Sequence, residues 1–484
     1  MALKKKTLHG FGWSFADNIG NQGITFLVTL VLARLLTPAD FGLVAMIAVF
    51  TAISNTFIDS GFTTALIRKM DCTQKDYSTV FYFNLAVGFI LFIALYLAAP
   101  ALSVFYKQPE LTDITRVLAF GIILSSLSVI QRTILTKRID FKLQTKVSLI
   151  SSVLSGGVGV GMAFGGFGVW SLVGQQLGRQ LFQSLLLWIM NCWRPSLVFS
   201  VDSFRELFGF GSKILASSLL DTIYKNINTL IIGKFFSSAT LGYYANADKF
   251  QAVFSANLTQ TIQRVSYPVL SSIQDESAML KQAYRKLIIN TMMGTFALML
   301  GLAACAKSVI LISIGYQWEP VVPYLQLLCL SGMLYPLHAI NLNIINVKGR
   351  SDLFLKLEVL KKIIAVPVLV VGVFWGVYAL LVGMVVTSVI SYFLNSYYSA
   401  RLIDYPTREQ LADIAPLLGI STLVGLVMWS VTFLNWNLFA TLAVQLLVGL
   451  TLSYVIYDRL KVTEFLELKA MIVGSIKRIR NERR

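Results

Sequence analysis

Residues 10–46 read GFGWSFADNIGNQGITFLVTLVLARLLTPADFGLVAM, and residues 209–246 read GFGSKILASSLLDTIYKNINTLIIGKFFSSATLGYYAN. Gly10, Phe11 and Gly12 match Gly209, Phe210 and Gly211 at an offset of 199. Arg34 and Leu36 match Lys234 and Phe236, and Ala39 and Gly42 match Ala239 and Gly242, at an offset of 200. A one-residue slip reconciles the two. Each copy holds a long apolar stretch, a basic residue at its exit, a short turn and the start of a second apolar stretch. Apolar helices often look alike by chance, but they do not by chance share G-F-G, the exit cation and A-x-x-G together. The chain therefore carries an internal repeat with a period near 200 residues.

The composition says what is being repeated. Hydrophobic residues make up 56% of the 484 and charged residues only 13%, with a mean hydropathy of +0.70. A soluble chain carries about 25% charged residues, so a water-soluble enzyme is excluded, and so is a disordered chain. Crossing a bilayer takes about 20 mostly apolar residues per helix. Fourteen windows qualify: 11–34, 41–62, 77–100, 114–135, 145–167, 168–191, 207–233, 245–270, 284–306, 321–346, 355–376, 377–400, 411–434 and 436–457. The seventh and eighth are the most polar. None has the alternation of a membrane β-barrel, so the spans are expected to be helices.

Charge sets the expected orientation. The net charge is +17, and 32 of the 41 Lys and Arg fall in the even-to-odd connections, in the span ends beside them or in the two tails. That bias places both termini in the cytoplasm and reads the excess charge as topology, with no nucleic-acid partner implied. The basic N-terminus leads into a retained first span with no cleavage site. Six spans per repeat is an even number, so the two copies insert the same way, as parallel repeats. The expected organisation is an N-lobe over 1–200, a C-lobe over 201–400, two further helices over 401–460 and a basic tail over 461–484. Four scattered cysteines and two histidines give no metal or disulfide framework. The glycine-rich run 156–168 lacks the G-K-[ST] ending of a phosphate loop and reads as close helix packing.

Polar residues inside apolar spans point to a site. Asp17, Asn18 and Asn21 share a face of the first span, and Asn55 and Asp59 sit on the second. The seventh carries Lys213, Asp221, Lys225 and Asn228, and the eighth carries Asn257, Gln260 and Arg264. A hydrated cavity between the lobes, walled by these four spans, would accommodate them. Bland readings stand beside this one. Asp221 and Lys225 are i,i+4 and can be a structural ion pair. Asn18, Asn21 and Asn228 can bond across helices. Asp59 and Arg264 can snorkel, and Arg34 and Lys234 can be interfacial anchors. Thinner polarity remains in the sixth span, at Arg179.

Fourteen spans, two parallel lobes, the opening GFGWSFADNIGNQ and the segment Ala33, Arg34, Leu36, Pro38, Phe41, Gly42, followed by Asp59-Ser60-Gly61-Phe62, Ala65 and Leu66, carry a resemblance. The chain resembles polysaccharide exporters of the multidrug/oligosaccharidyl-lipid/polysaccharide (MOP) superfamily, and more narrowly Wzx-type flippases of the colanic acid and O-antigen group. The resemblance implies an all-α, V-shaped bundle in the bacterial inner membrane that alternates between inward- and outward-open states. Its implied substrate is undecaprenyl pyrophosphate carrying an oligosaccharide. The family's cationic cavity would correspond to Lys213 and Lys225, then to Arg34, Lys234 and Arg264. Implied partners are a polysaccharide polymerase and a chain-length regulator. No cofactor is expected; the membrane potential, or H⁺ or Na⁺ coupling through Asp17 or Asp59, would supply the drive. The alternatives are a peptidoglycan lipid precursor flippase, a cation-coupled multidrug exporter with an acidic cavity, and a membrane glycan polymerase or ligase. The last would need catalytic carboxylates or a sizeable outer loop, and outer loops such as 165–168 and 434–437 are short and hold no acidic residue.

Overall fold

The computed structural model describes residues 2–467, 469 and 470, so most of the basic tail lies outside the described residues. Among the described residues there are fifteen α-helices and no strand. They are α1 (Ala2–Leu35), α2 (Pro38–Arg68), α3 (Gln74–Tyr106), α4 (Leu111–Lys137), α5 (Phe141–Phe164), α6 (Trp170–Met190), α7 (Val201–Phe235), α8 (Ser238–Ser272), α9 (Ser277–Ile314), α10 (Val321–Gly332), α11 (Tyr335–Val347), α12 (Ser351–Trp375), α13 (Val377–Ile403), α14 (Thr407–Ser430) and α15 (Leu438–Arg459). Every expected span coincides with one helix except the tenth, which corrects to two. Pro336 enters at the start of α11, where its ring would collide with the carbonyl of residue 332 in a continuous helix. Nine of the described segments are long and apolar enough to cross a membrane by length and composition alone, counting α10 and α11 together. The helices below that threshold are α1, α6, α7, α8 and α12, and two of them, α1 and α6, carry polar faces described below.

The turns are set by local chemistry. Thr37 and Asp40 form a reciprocal capping box before α2, with Pro38 in its first turn. Thr73 and Asp76 do the same before α3. Each box satisfies two amide donors that a helix start leaves open. Gly376 alone separates α12 from α13, at φ +96°, a backbone state that costs glycine no Cβ clash.

The chain divides into two compact units, Met1–Ala245 and Asn246–Arg484. The first unit extends past the repeat boundary near 200 because α7 packs along the length of α2. Compact unit and sequence repeat are therefore different partitions of this chain. In the first unit α5 packs on α6 and α1, and α4 on α3, α6 and α2. In the second, α9 packs on α14, α10 and α15, while α13 packs on α12, α11 and α10. The core of the second unit gathers Tyr284, Ile288, Met292, Phe296, Leu337, Ile340, Ile344 and Tyr405.

The repeat leaves a direct trace in the packing of the first unit. A Cβ on Gly42 would lie 1.8 Å from the Ser238 carbonyl oxygen, and one on Gly242 would lie 1.9 Å from that of Pro38. Pro38 and Ser238, like Gly42 and Gly242, are repeat mates at an offset of 200. Residue i touches j′ and j touches i′, the reciprocal contact that a two-fold axis produces. The glycine of the A-R-x-L-x-P-x-x-F-G segment is therefore the place where the two copies of the motif cross, backbone against backbone.

Candidate functional site

Two adjoining cavities lie within the first unit, built from polar faces that each follow helical spacing. The first, of about 250 Å³, is lined by Asp17 and Asn21 of α1, Arg132 of α4, Gln144 and Ser148 of α5, and Arg179 and Gln183 of α6. The second, of about 320 Å³, is lined by Asn55 and Asp59 of α2, Ser125, Ser128 and Arg132 of α4, and Gln176, Arg179, Gln180 and Gln183 of α6. Arg132, Arg179 and Gln183 belong to both walls. On α6 the lining positions run 176, 179, 180, 183, and on α4 they run 125, 128, 132, so each set shares one helix face.

The hydrogen bonding orients Arg179 without neutralising it. Arg179 Nη2 donates to Asn21 Oδ1 at 3.2 Å, and Nη1 lies 3.5 Å from Thr25 Oγ1. Ser152 Oγ also donates to Asn21 Oδ1, which locks that amide toward the guanidinium. Among the described residues no carboxylate lies within ion-pair distance of Arg132 or Arg179. Asp59 is exposed and accepts from Thr63 at 3.4 Å. Asp17 Oδ1 is buried with no hydrogen-bond partner among the described residues. Two guanidiniums with open donors facing one space can take a polyanion such as a pyrophosphate in forked, charge-assisted bonds.

The residues singled out from the sequence are distributed as follows. Asp17, Asn21, Asn55 and Asp59 come together at the two cavities. Asn18 is half-buried and lines neither. Lys213, Asp221 and Lys225 are exposed on α7 and Asn228 is half-buried; none of the four lines these cavities. Lys225 pairs with Asp221 at 2.7 Å, with both side chains more than half exposed. Lys234 donates to the Phe105 carbonyl at 2.6 Å and lies 4.0 Å from the centre of the Phe105 ring, so it closes the last turn of α3. Arg34 is exposed at the end of α1. Asn257, Gln260 and Arg264 belong to α8, and their side chains lie outside the described residues.

Sequence reading passed over Arg132, which it assigned to a basic connection, and gave Arg179 no role. The signal for both was present. QQLGRQLFQ over 175–183 repeats amides at helical spacing around one arginine, a pattern an entirely lipid-facing helix does not need.

A bundle of apolar helices enclosing polar cavities belongs to the class of polytopic α-helical membrane transporters. The fold is that of the MOP superfamily. The structure aligns with the lipid II flippase MurJ in an inward closed conformation at a TM-score of 0.72, covering 94% of this chain and 99% of that one at 13% identity. A multidrug resistance MATE transporter of the MOP superfamily in an inward-facing conformation aligns at 0.60, covering 79% and 95%, at 15% identity. By sequence, residues 31–323 match the model of the polysaccharide biosynthesis protein family, and the chain belongs to that family. It is 25% identical to the lipopolysaccharide biosynthesis protein WzxC of Escherichia coli strain K12, over 88% of this chain and 89% of that one. It is 27% identical to the succinoglycan biosynthesis transport protein ExoT of Rhizobium meliloti, over 69% and 67%.

Proposed function

We propose that this protein is a flippase that moves undecaprenyl-pyrophosphate-linked oligosaccharide units from the cytoplasmic to the periplasmic leaflet of the bacterial inner membrane by alternating access. It is a transporter and not a catalyst. The observation that carries the reading is the pair Arg132 and Arg179, two guanidiniums without carboxylate partners on the shared wall of two polar cavities. A pyrophosphate leaving water needs cations, and arginine supplies planar forks that fit phosphate oxygens. The polysaccharide biosynthesis family match and the relatives in lipopolysaccharide and succinoglycan biosynthesis support the glycan part of the substrate.

Both termini are assigned to the cytoplasm on the Lys/Arg bias. Outward movement of the anionic headgroup then runs down an inside-negative potential, by roughly 2.3 kcal/mol per charge per 100 mV. That drive needs no ATP and no resident cofactor. Asp17 and Asp59, which line the cavities, are the carboxylates we propose would accept H⁺ or Na⁺ if a second ion moves with the substrate. A glycan polymerase and a chain-length regulator are proposed as downstream partners, since a translocated repeat unit has to be joined to others. The test is translocation of a fluorescent undecaprenyl-pyrophosphate oligosaccharide in proteoliposomes. Movement that requires the protein and is lost in Arg179→Gln supports the reading. Absence of movement alongside export of a cationic dye overturns it.

A further inference from the structure

We infer that the C-terminal segment from Val462 onward binds an anionic phospholipid surface, and that residues 462–470 form the anchor that delivers it there. The anchor begins with a reversal. The membrane-length helix α15 ends at Arg459. Lys461 then takes a left-handed φ of +51°, and the Val462 amide donates to the Tyr457 carbonyl at 3.1 Å, which turns the chain back at the helix end. Val462 and Phe465 pack against the core of the second unit. Phe465 stacks on Tyr457 and meets Tyr454 edge-on, with ring centres 5.6 Å apart in both pairs. Glu467 pairs with Lys286 of α9, and Lys469 with Asp458 of α15, each at 2.6 Å. Lys469 Nζ also lies 4.9 Å from the centre of the Tyr454 ring.

These contacts set the depth at which the chain continues. Tyr454 precedes the end of α15 at Arg459 by roughly 8 Å of helix rise, the level of the membrane interface that tyrosines favour. Lys469 is brought back to Tyr454, so the sequence after it starts among lipid headgroups and not in open solution. That sequence suits such a surface. Residues 471–484, which lie outside the described residues, hold Lys477, Arg478, Arg480, Arg483 and Arg484 against the single acid Glu482. Phe465, Leu468, Ile472, Ile476 and Ile479 recur in the sequence at steps of three and four. Basic residues beside an apolar stripe of this spacing are what an interfacial segment on an anionic bilayer requires. A merely solvated tail needs the charge but neither the stripe nor the anchor. An acidic protein would also answer the charge, but the anchor at the tyrosine level favours lipid.

The test uses the full chain in nanodiscs of phosphatidylcholine, with and without phosphatidylglycerol. A dye is attached at Ser475→Cys after Cys72→Ser and Cys192→Ser, since Cys305 and Cys329 are buried, and its quenching by aqueous acrylamide is measured. Quenching is expected to fall about three- to tenfold when phosphatidylglycerol is present, because each basic residue near an anionic surface favours the bound state. The combined Lys477→Gln, Arg478→Gln and Arg480→Gln should remove most of that protection without touching the folded bundle, and so should molar salt. Phe465→Ala with Lys469→Gln, which frees the anchor, should reduce the protection about threefold. Equal quenching in the two nanodiscs, or protection that survives the three glutamines, overturns lipid binding and leaves the charge to an acidic protein. Protection untouched by Phe465→Ala with Lys469→Gln overturns the anchor. Neither result bears on the headgroup reading, which is judged by translocation.

Discussion

Arg179 is placed in mid-helix by the sequence and in a polar cavity by the fold. Asn21 and Thr25 set its plane, and no described carboxylate lies within ion-pair distance of it, although Asp17 lines the same cavity, so its free donors are the molecule's clearest provision for an anion. Arg179→Gln is expected to lower translocation of the lipid-linked substrate by about 10- to 100-fold, the value of one charge-assisted hydrogen bond. Arg179→Lys should recover only part of this, because an ammonium cannot fork two bonds in one plane. Lys225→Ala should cost far less. Lys225 is already paired with Asp221 and largely exposed, where such pairs contribute little. A translocation assay in which Lys225→Ala falls further than Arg179→Gln would move the headgroup site to α7. Lys213 is exposed on the same helix, and among the described residues no carboxylate pairs with it. At this scale the sequence exposed which residue types were buried in apolar spans, and Asp17, Asn21, Asn55 and Asp59 did meet. It could not rank cations, because a basic residue at a span end reads the same whether it faces lipid headgroups, as Arg34 was expected to, or borders a cavity, as Arg132 does.

At the scale of elements, the glycines of the repeat have unequal roles. Gly211 of α7 faces Gly61 of α2, and a Cβ on Gly61 would lie 2.5 Å from the Gly211 carbonyl oxygen. Gly12, the repeat mate of Gly211, has nothing within 4 Å of the equivalent position. Gly61→Val should therefore destabilise the protein by about 1–3 kcal/mol through overpacking. Gly12→Ala should be neutral or slightly stabilising through helix propensity. A thermal-shift comparison in detergent checks both, and equal losses at the two sites would show that α1 is packed there as tightly as α7.

The α2–α7 seam ends in an ion-pair cluster. Lys69, just beyond α2, binds Glu206 at 2.8 Å and Asp76 at 3.2 Å. The hydrogen bond that Lys69 donates to Glu206, with help from Asp76, holds the Lys69 ammonium's pKa above its ordinary value although burial pulls the other way. A raised folded-state pKa means that this stabilisation is complete below pH 10.5 and is lost as pH rises through the folded value. The melting-temperature difference between wild type and Lys69→Met should accordingly stay constant from about pH 6 to 9 and shrink above about pH 10.5. A difference that vanished near neutral pH would dissociate the cluster from the seam's stability. Helix positions were legible throughout this level, because hydropathy over twenty residues is a strong signal. The break between α10 and α11 was not read. Pro100, Pro268, Pro367 and Pro416 all remain inside helices, so proline alone did not distinguish Pro336. At that break Gly332 packs against Gln251, whose Nε2 would lie 1.7 Å from an added Cβ, a tertiary contact no local pattern records.

For the whole molecule, charge asymmetry makes a prediction that no single contact does. On the proposed orientation, with both tails cytoplasmic, an imposed inside-negative potential of about 100 mV should accelerate outward movement of the pyrophosphate lipid relative to zero potential, since each charge moved is worth roughly 2.3 kcal/mol. Proteoliposomes with a potassium diffusion potential measure this. A rate indifferent to potential would mean that a compensating cation travels with the substrate.

The sequence by itself determined the helical membrane class, the positions though not the full lengths of nearly all the helical segments, the repeat, and the family resemblance that the family match bears out. Those properties depend on local hydropathy and on motifs contiguous in the chain. Only the tertiary structure decided that α7 packs with the first unit, that repeat-related glycines cross at Gly42 and Gly242, and that Arg132 and Arg179 share a wall with Asn55 and Gln180. Each of these depends on which faces of distant helices meet. Hydropathy gives a helix its length and its polar side, but the neighbour that side turns toward is fixed by side-chain packing across the bundle.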